Sequence, residues 1–141
     1  MKYIFLLLFA FVFALSACQS KLAEIVGEKV NVDGSAYRNI NADELKTILK
    51  DKDFVFVNVH IPLEGNIADT DLSIPHDQIT EPANLAQLPI DKNARTVLYC
   101  RSGRMSAIAA EELMKLGYTN TWNLKGGMLG WEQAGFEIPD K

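Results

Sequence analysis

The residues best equipped for chemistry form one short run, Cys100-Arg101-Ser102-Gly103-Arg104-Met105. A cysteine acts as a nucleophile through its thiolate, and two guanidinium groups within one turn of it favour that anion. They also raise the local positive potential, which draws an anionic substrate towards the sulfur. Ser102 and Gly103 let the backbone curl tightly enough to bring these groups together. The run predicts an exposed, electropositive turn with a reactive thiol, in place of the buried and inert role that many free cysteines take. The other candidates are weaker. His60 and His76 stand apart and read as surface or hydrogen-bonded structural histidines, and two separated histidines with one free cysteine make no metal set. No metal and no cofactor are expected.

The elements that must hold this run can be read on either side of it. Thr96 to Tyr99 is a compact apolar, β-branched stretch that ends directly at Cys100. Beyond the arginines, Met105, Ile108, Ala109, Leu113 and Leu116 recur at helical spacing until Gly117 closes the helix. Cys100 thus sits between a strand and a helix start, where unpaired backbone N–H groups and the helix dipole stabilise an anion. In open α/β sheets ligands bind at this end of the strands.

The rest of the chain repeats the alternation. Asn41 with Glu44 predicts a capped helix carrying Leu45, Ile48 and Leu49 on its apolar face. Phe54 to Val59 reads as a strand covered on both sides, and Asn84 to Leu88 as a short helix in the proline-punctuated stretch from His60 to Pro89. Thr121 to Leu124 predicts another strand, Lys125-Gly126-Gly127 a turn, and Met128 to Ala134 a last helix stopped by Gly135. Trp122, Trp131 and Tyr118 read as packing residues. The fold class is α/β, with a largely parallel central sheet flanked by helices.

Composition bounds the setting. The chain has 141 residues, 48% of them hydrophobic and 23% charged, which fits one globular domain after its first residues are set aside. Those first residues pair Lys2 with an apolar stretch from Ile4 to Leu15 and the small residues Ser16 and Ala17, the profile of an export signal. The apolar run is shorter than the roughly 20 residues of a membrane-spanning helix. Leu15-Ser16-Ala17-Cys18 resembles the lipobox of bacterial lipoproteins, which implies acylation of Cys18 and attachment to a membrane surface. The expected division is a signal peptide over 1–17, a tether and lead-in over 18–36, and one domain over 37–141. Removal of Lys2 with the signal moves the formal net charge from −4 to −5, and the basic residues are scattered, so nucleic acid is not an expected partner. A lipid on Cys18 leaves Cys100 without an intramolecular partner in an oxidising compartment, where an unpaired thiol is a liability unless it is buried or in use.

Tyr99-Cys100-Arg101-Ser102-Gly103-Arg104-Met105-Ser106 resembles the active-site loop of the rhodanese family. Leu124-Lys125-Gly126-Gly127 with Trp131, followed by Gly135 and Phe136, resembles that family's closing signature, and the two motifs cover about the last third of the chain. The resemblance implies a rhodanese-like fold and a sulfurtransferase in which the Cys100 thiolate takes a sulfane sulfur from thiosulfate or a similar donor. A thiol or cyanide-like acceptor would then attack the persulfide. By the same resemblance the backbone of residues 101 to 105 cradles the sulfur, and Arg101 and Arg104 orient the anionic donor. The expected protein is a monomer, lipid-anchored on the periplasmic side, with the outer membrane preferred because Gln19 lacks the aspartate of an inner-membrane retention signal.

Three positions depart from the family. Asn58-Val59-His60 stands where an acidic and a basic residue commonly flank the valine, and Gly65-Asn66-Ile67 where glycine-histidine-isoleucine is usual. The usual ionic support beneath the loop is therefore missing, which leaves room for a second reading: a membrane-tethered sulfur carrier without turnover. A third is a cysteine-dependent phosphatase or arsenate reductase of related fold. That family's loop resembles cysteine, five residues, then arginine. Here the sixth residue after Cys100 is Ser106 and the arginine stands at 104, so the phosphate clamp is misplaced.

Overall fold

Why the strands lie where they do follows from side-chain alternation. Val97 and Tyr99 point to one face of the sheet while Leu98 and Cys100 point to the other, and each face has its own buried cluster. The computed structural model describes residues 24–139 and 141. The expected signal peptide and the lipid site at Cys18 lie outside the described residues.

The elements in chain order are β1 (Glu28–Val32), β2 (Ser35–Ile40), α1 (Ala42–Ile48), β3 (Val55–Asn58), β4 (Leu72–Ser73), α2 (Pro82–Leu85), β5 (Thr96–Tyr99), α3 (Arg104–Lys115), β6 (Thr121–Leu124) and α4 (Gly127–Gln133). They build a six-stranded sheet in the order β1-β2-β6-β5-β3-β4. Only β1 and β2 pair antiparallel, with Val30 opposite Tyr37; every other pairing is parallel, and Val97 lies between Phe56 and Trp122. On one face α3 packs Ala109, Ala110 and Leu113 against Val57, Leu98 and Tyr37. On the other, Leu45 of α1 with Met128 and Trp131 of α4 covers Phe56, Val97 and Leu124. Both faces of the central strands are thus dry, as their unbroken apolar runs require.

Local signals account for the helix ends. Asn41 caps α1 through its side chain, which accepts from the Glu44 N–H at 2.9 Å, while the Glu44 carboxylate accepts from the Asn41 N–H at 2.8 Å. This reciprocal pair satisfies two otherwise orphaned donors. Gly117 (φ 90°) ends the α3 turn in the left-handed region open to glycine. The short helix expected over Asn84 to Leu88 starts earlier, at Pro82, whose fixed φ suits a first helical position.

One expectation needs correction. Residues 18–36 were expected to be a tether and lead-in, yet Glu28–Val32 and Ser35–Ile40 form a hairpin that completes the sheet. Its turn is Asp33-Gly34, both at positive φ (48° and 84°), and this backbone twist matches the twist of two antiparallel strands. Upstream of the hairpin, Glu24, Ile25 and Val26 lie beside Arg95, Asn120 and Trp122, at the end of the sheet where β5 and β6 begin. The Val26 carbonyl accepts from the Arg38 guanidinium at 2.9 Å.

Candidate active site

The strand β5 delivers Cys100 to the carboxyl end of the sheet, and α3 leads away from it. Between them residues 101 to 103 make a tight loop, closed by Gly103 at φ 90°. The Gly103 N–H donates to Cys100 Sγ at 3.1 Å, and the Ser106 hydroxyl, itself fully buried, donates to the same sulfur at 3.4 Å. Two donors thus converge on one sulfur from the first turn of a twelve-residue helix, an arrangement that stabilises negative charge there.

Gly126 and Gly127 hold this loop from behind. The Met128 N–H donates to the Cys100 carbonyl and the Leu129 N–H to the Arg101 carbonyl, each at 2.9 Å. A Cβ on Gly127 would stand 2.3 Å from the Cys100 carbonyl oxygen, and one on Gly103 would stand 2.9 Å from the Gly126 nitrogen. The paired glycines are therefore a steric condition for the start of α4 to seat against the loop carbonyls.

Cys100 is buried, with 1% of its surface accessible, against the expectation of an exposed thiol. Alternation along β5 explains this: Cys100 falls on the face covered by α3 and joins the cluster of Val59, Ile79 and Ala109. What the solvent meets is the rim. Arg101, Ser102 and Arg104 are exposed, and Met105 is half-buried against the same cluster. Of the predicted residues Gly103 touches the sulfur, whereas Arg101, Ser102 and Arg104 stand on the exposed side of the same loop. Ser106 was part of the motif but was not expected to touch the sulfur; its position one helical turn after Ser102 was the available signal.

A neutral network supports the loop where the ionic one is missing. Asn58, 1% exposed, donates through Nδ2 to the Gly65 carbonyl at 2.9 Å and to Asn66 Oδ1 at 3.0 Å, and its Oδ1 accepts from the His60 N–H at 3.0 Å. The Tyr99 hydroxyl accepts from the Ile67 N–H at 3.0 Å, lies 2.7 Å from Thr70 Oγ1 and lies 3.3 Å from Asn66 Oδ1. Burial pushes the Tyr99 phenol above its ordinary value, outweighing the hydrogen bonds from Thr70 and Ile67 that pull it down. Amides and a phenol take the place of charges, and the strand end remains tied to the 65–67 segment.

One acidic residue joins the rim that the motif did not mark. Glu64 places Oε1 3.7 Å from Arg101 Nη1 and Oε2 3.3 Å from His60 Nε2. Neither contact is a hydrogen bond: the first is too long, and His60 Nε2 and Nδ1 are buried without a hydrogen-bond partner among the described residues. His76 lies behind the rim in the turn His76–Gln78, its N–H donating to the Val59 carbonyl at 3.0 Å.

With this geometry in view, comparison with known proteins is direct. Residues 41–134 match the rhodanese-like domain model. A sulfurtransferase of Allochromatium vinosum is 35% identical over 103 residues, which span 70% of this chain and 92% of that protein. A putative mitochondrial thiosulfate sulfurtransferase of Schizosaccharomyces pombe is 34% identical over 92 residues, covering 57% of this chain and 65% of that one. In other curated relatives the matched stretch is a smaller share of a longer protein, 44% of one and 19% of another. The crystal structure of a rhodanese-like domain protein from Staphylococcus aureus superimposes with a TM-score of 0.57 at 34% identity, over 71% of this chain and 96% of that one. The fold, with Cys100 between a strand end and a helix start, defines a rhodanese-like α/β domain. The chain belongs to the rhodanese-like family, whose sulfurtransferases pass sulfur between a donor and an acceptor.

Proposed function

We propose that this protein moves a sulfane sulfur from thiosulfate or a similar small anionic donor to a thiophilic acceptor through a persulfide on Cys100. The observation that carries the reading is the convergence of the Gly103 N–H and the Ser106 hydroxyl on Cys100 Sγ. The Cys100 thiolate attacks the outer sulfur of thiosulfate. A new S–S bond forms, the donor's S–S bond breaks, and sulfite leaves with the electron pair. The enzyme then holds a persulfide anion, and cyanide or a thiolate attacks its terminal sulfur. Thiocyanate or a low-molecular persulfide departs, and the Cys100 thiolate returns. The two steps are ping-pong. The Gly103 N–H and the Ser106 hydroxyl balance the charge in each resting state, and the exposed Arg101 and Arg104 receive the anionic donor at the rim. Burial of the sulfur suits this chemistry, because a persulfide kept from bulk solvent is guarded against side reactions.

Anchoring belongs to the same proposal: a lipid on Cys18 would hold a monomeric domain at the periplasmic side of a membrane, by preference the outer one. A relative described as a putative thiosulfate sulfurtransferase supports thiosulfate as donor. The test is the intact mass of the protein after thiosulfate exposure. A gain of one sulfur atom that cyanide removes with release of thiocyanate, absent in Cys100→Ser, is the expected result. Persulfide without turnover to cyanide or thiols would assign a carrier, and no added sulfur would refute the proposal.

A further inference from the structure

The two arginines of the rim are not equivalent. Arg104 has no carboxylate within ion-pair distance among the described residues, whereas Arg101 faces Glu64 Oε1 at 3.7 Å. The other oxygen of Glu64 lies 3.3 Å from Nε2 of the nearly buried His60 ring. The carboxylate therefore stands at the mouth of the site, with about a third of its side chain in solvent (36%). It offsets one of the two positive charges that an incoming anion would meet.

From this we infer that Glu64 is a selectivity residue: its carboxylate shares Arg101 and discriminates among sulfur donors by their charge, disfavouring dianions relative to monoanions and neutral species. The inference deepens the sulfurtransferase reading and rests on it for its biological meaning. The physics is Coulombic. A fixed negative charge at the rim repels a dianion with twice the energy it exerts on a monoanion, and it acts on a neutral molecule not at all. At rim distances and ordinary salt, the removal of one such charge changes the approach of a dianion about threefold to tenfold, and that of a monoanion by about the square root of that factor. A purely structural role for Glu64 would change all donors alike.

The experiment compares wild type with Glu64→Gln and Glu64→Asp. Thiosulfate serves as dianionic donor and methanethiosulfonate as monoanionic donor, with cyanide as acceptor. Glu64→Gln is expected to raise kcat/KM for thiosulfate about threefold to tenfold, and for methanethiosulfonate about twofold to threefold, with both gains shrinking as salt rises. Glu64→Asp retains the wild-type ratio between the donors. A second readout needs no sulfur transfer: the rates at which iodoacetate and iodoacetamide alkylate Cys100. Their ratio is expected to rise about twofold to threefold in Glu64→Gln. An unchanged iodoacetate to iodoacetamide ratio, or an equal change for both donors, overturns the inference. A shifted alkylation ratio in a protein whose wild type transfers no sulfur would refute the sulfurtransferase reading alone and leave the charge selection standing.

Discussion

Replacing Gly127 with alanine tests whether the start of α4 holds the Cys100 loop in shape. The new methyl carbon would sit 2.3 Å from the Cys100 carbonyl oxygen and 2.7 Å from both the carbonyl carbon and oxygen of Arg101. Ordinary contact needs roughly 3.2 Å, so loop and helix must part by about 1 Å. That movement stretches two hydrogen bonds, from Met128 to the Cys100 carbonyl and from Leu129 to the Arg101 carbonyl, both now 2.9 Å. Losing them costs about 1 kcal/mol each. The backbone at this residue has φ 55°, which adds about 1 kcal/mol for any residue with a Cβ. The total is about 3 kcal/mol, or about 10 °C in melting temperature for a domain of this size. A displacement of about 1 Å in the loop should also lower sulfur transfer on the order of a hundredfold. Thermal unfolding by circular dichroism and the thiosulfate to cyanide assay read the two effects. Gly135→Ala is the control, since Gly135 shares a positive φ of 87° but has nothing within 4 Å of an added Cβ. It should lose only about 1 kcal/mol and keep its activity. Should Gly127→Ala match Gly135→Ala in both assays, the proposed contact between α4 and the loop does not position the thiol.

Restoring the family's acidic residue by Asn58→Asp should destabilise the protein by about 2–4 kcal/mol, measured by urea denaturation, because an acceptor-only carboxylate would face the Gly65 carbonyl and Asn66 Oδ1 that the amide now serves as a donor. Tyr99 makes stability fall at alkaline pH. Its phenol has a raised value in the fold, so the contribution is whole below the ordinary value of 10.0 and is lost as pH rises from there through the folded value, where the unfolded chain binds fewer protons. In Tyr99→Phe this slope should flatten, at a cost of about 1–3 kcal/mol near neutrality from the lost contacts to Ile67 and Thr70, seen in melts across pH 8 to about 12.

How much was legible beforehand depended on whether a pattern was local. The limits of β5 and β6 could be read to the residue, since β5 is a compact run that ends at Cys100 and β6 is closed by the Lys125-Gly126-Gly127 turn. The α1 cap was equally plain, because both partners of the capping box lie within four residues. The β1–β2 hairpin was missed although Asp33-Gly34 between alternating residues is a strong hairpin signal. Its strands are polar on their open side, and β1 offers only Val30 and Val32 to the core, each partly buried, so the alternation is short and weakly apolar. The loop around Cys100 was found from its motif, but the burial of the sulfur was not, since it depends on which face β5 turns towards α3. Glu64 could not be found from any run of residues. It reaches Arg101 only because the 60–66 segment folds across the end of the sheet.

The path of the chain before β1 bears on which way the site looks. Glu24 to Val26 rest against Arg95 and Asn120, whereas Cys100 follows the far terminus of the same strand that Thr96 opens. With the anchor proposed at Cys18, only five residues lie between the lipid-bearing cysteine and Glu24, a leash of about 20 Å at full stretch. A domain held that closely would stand with its base on the bilayer and its sulfur loop turned outwards, and would collect its donors from the aqueous side and not from the lipid surface.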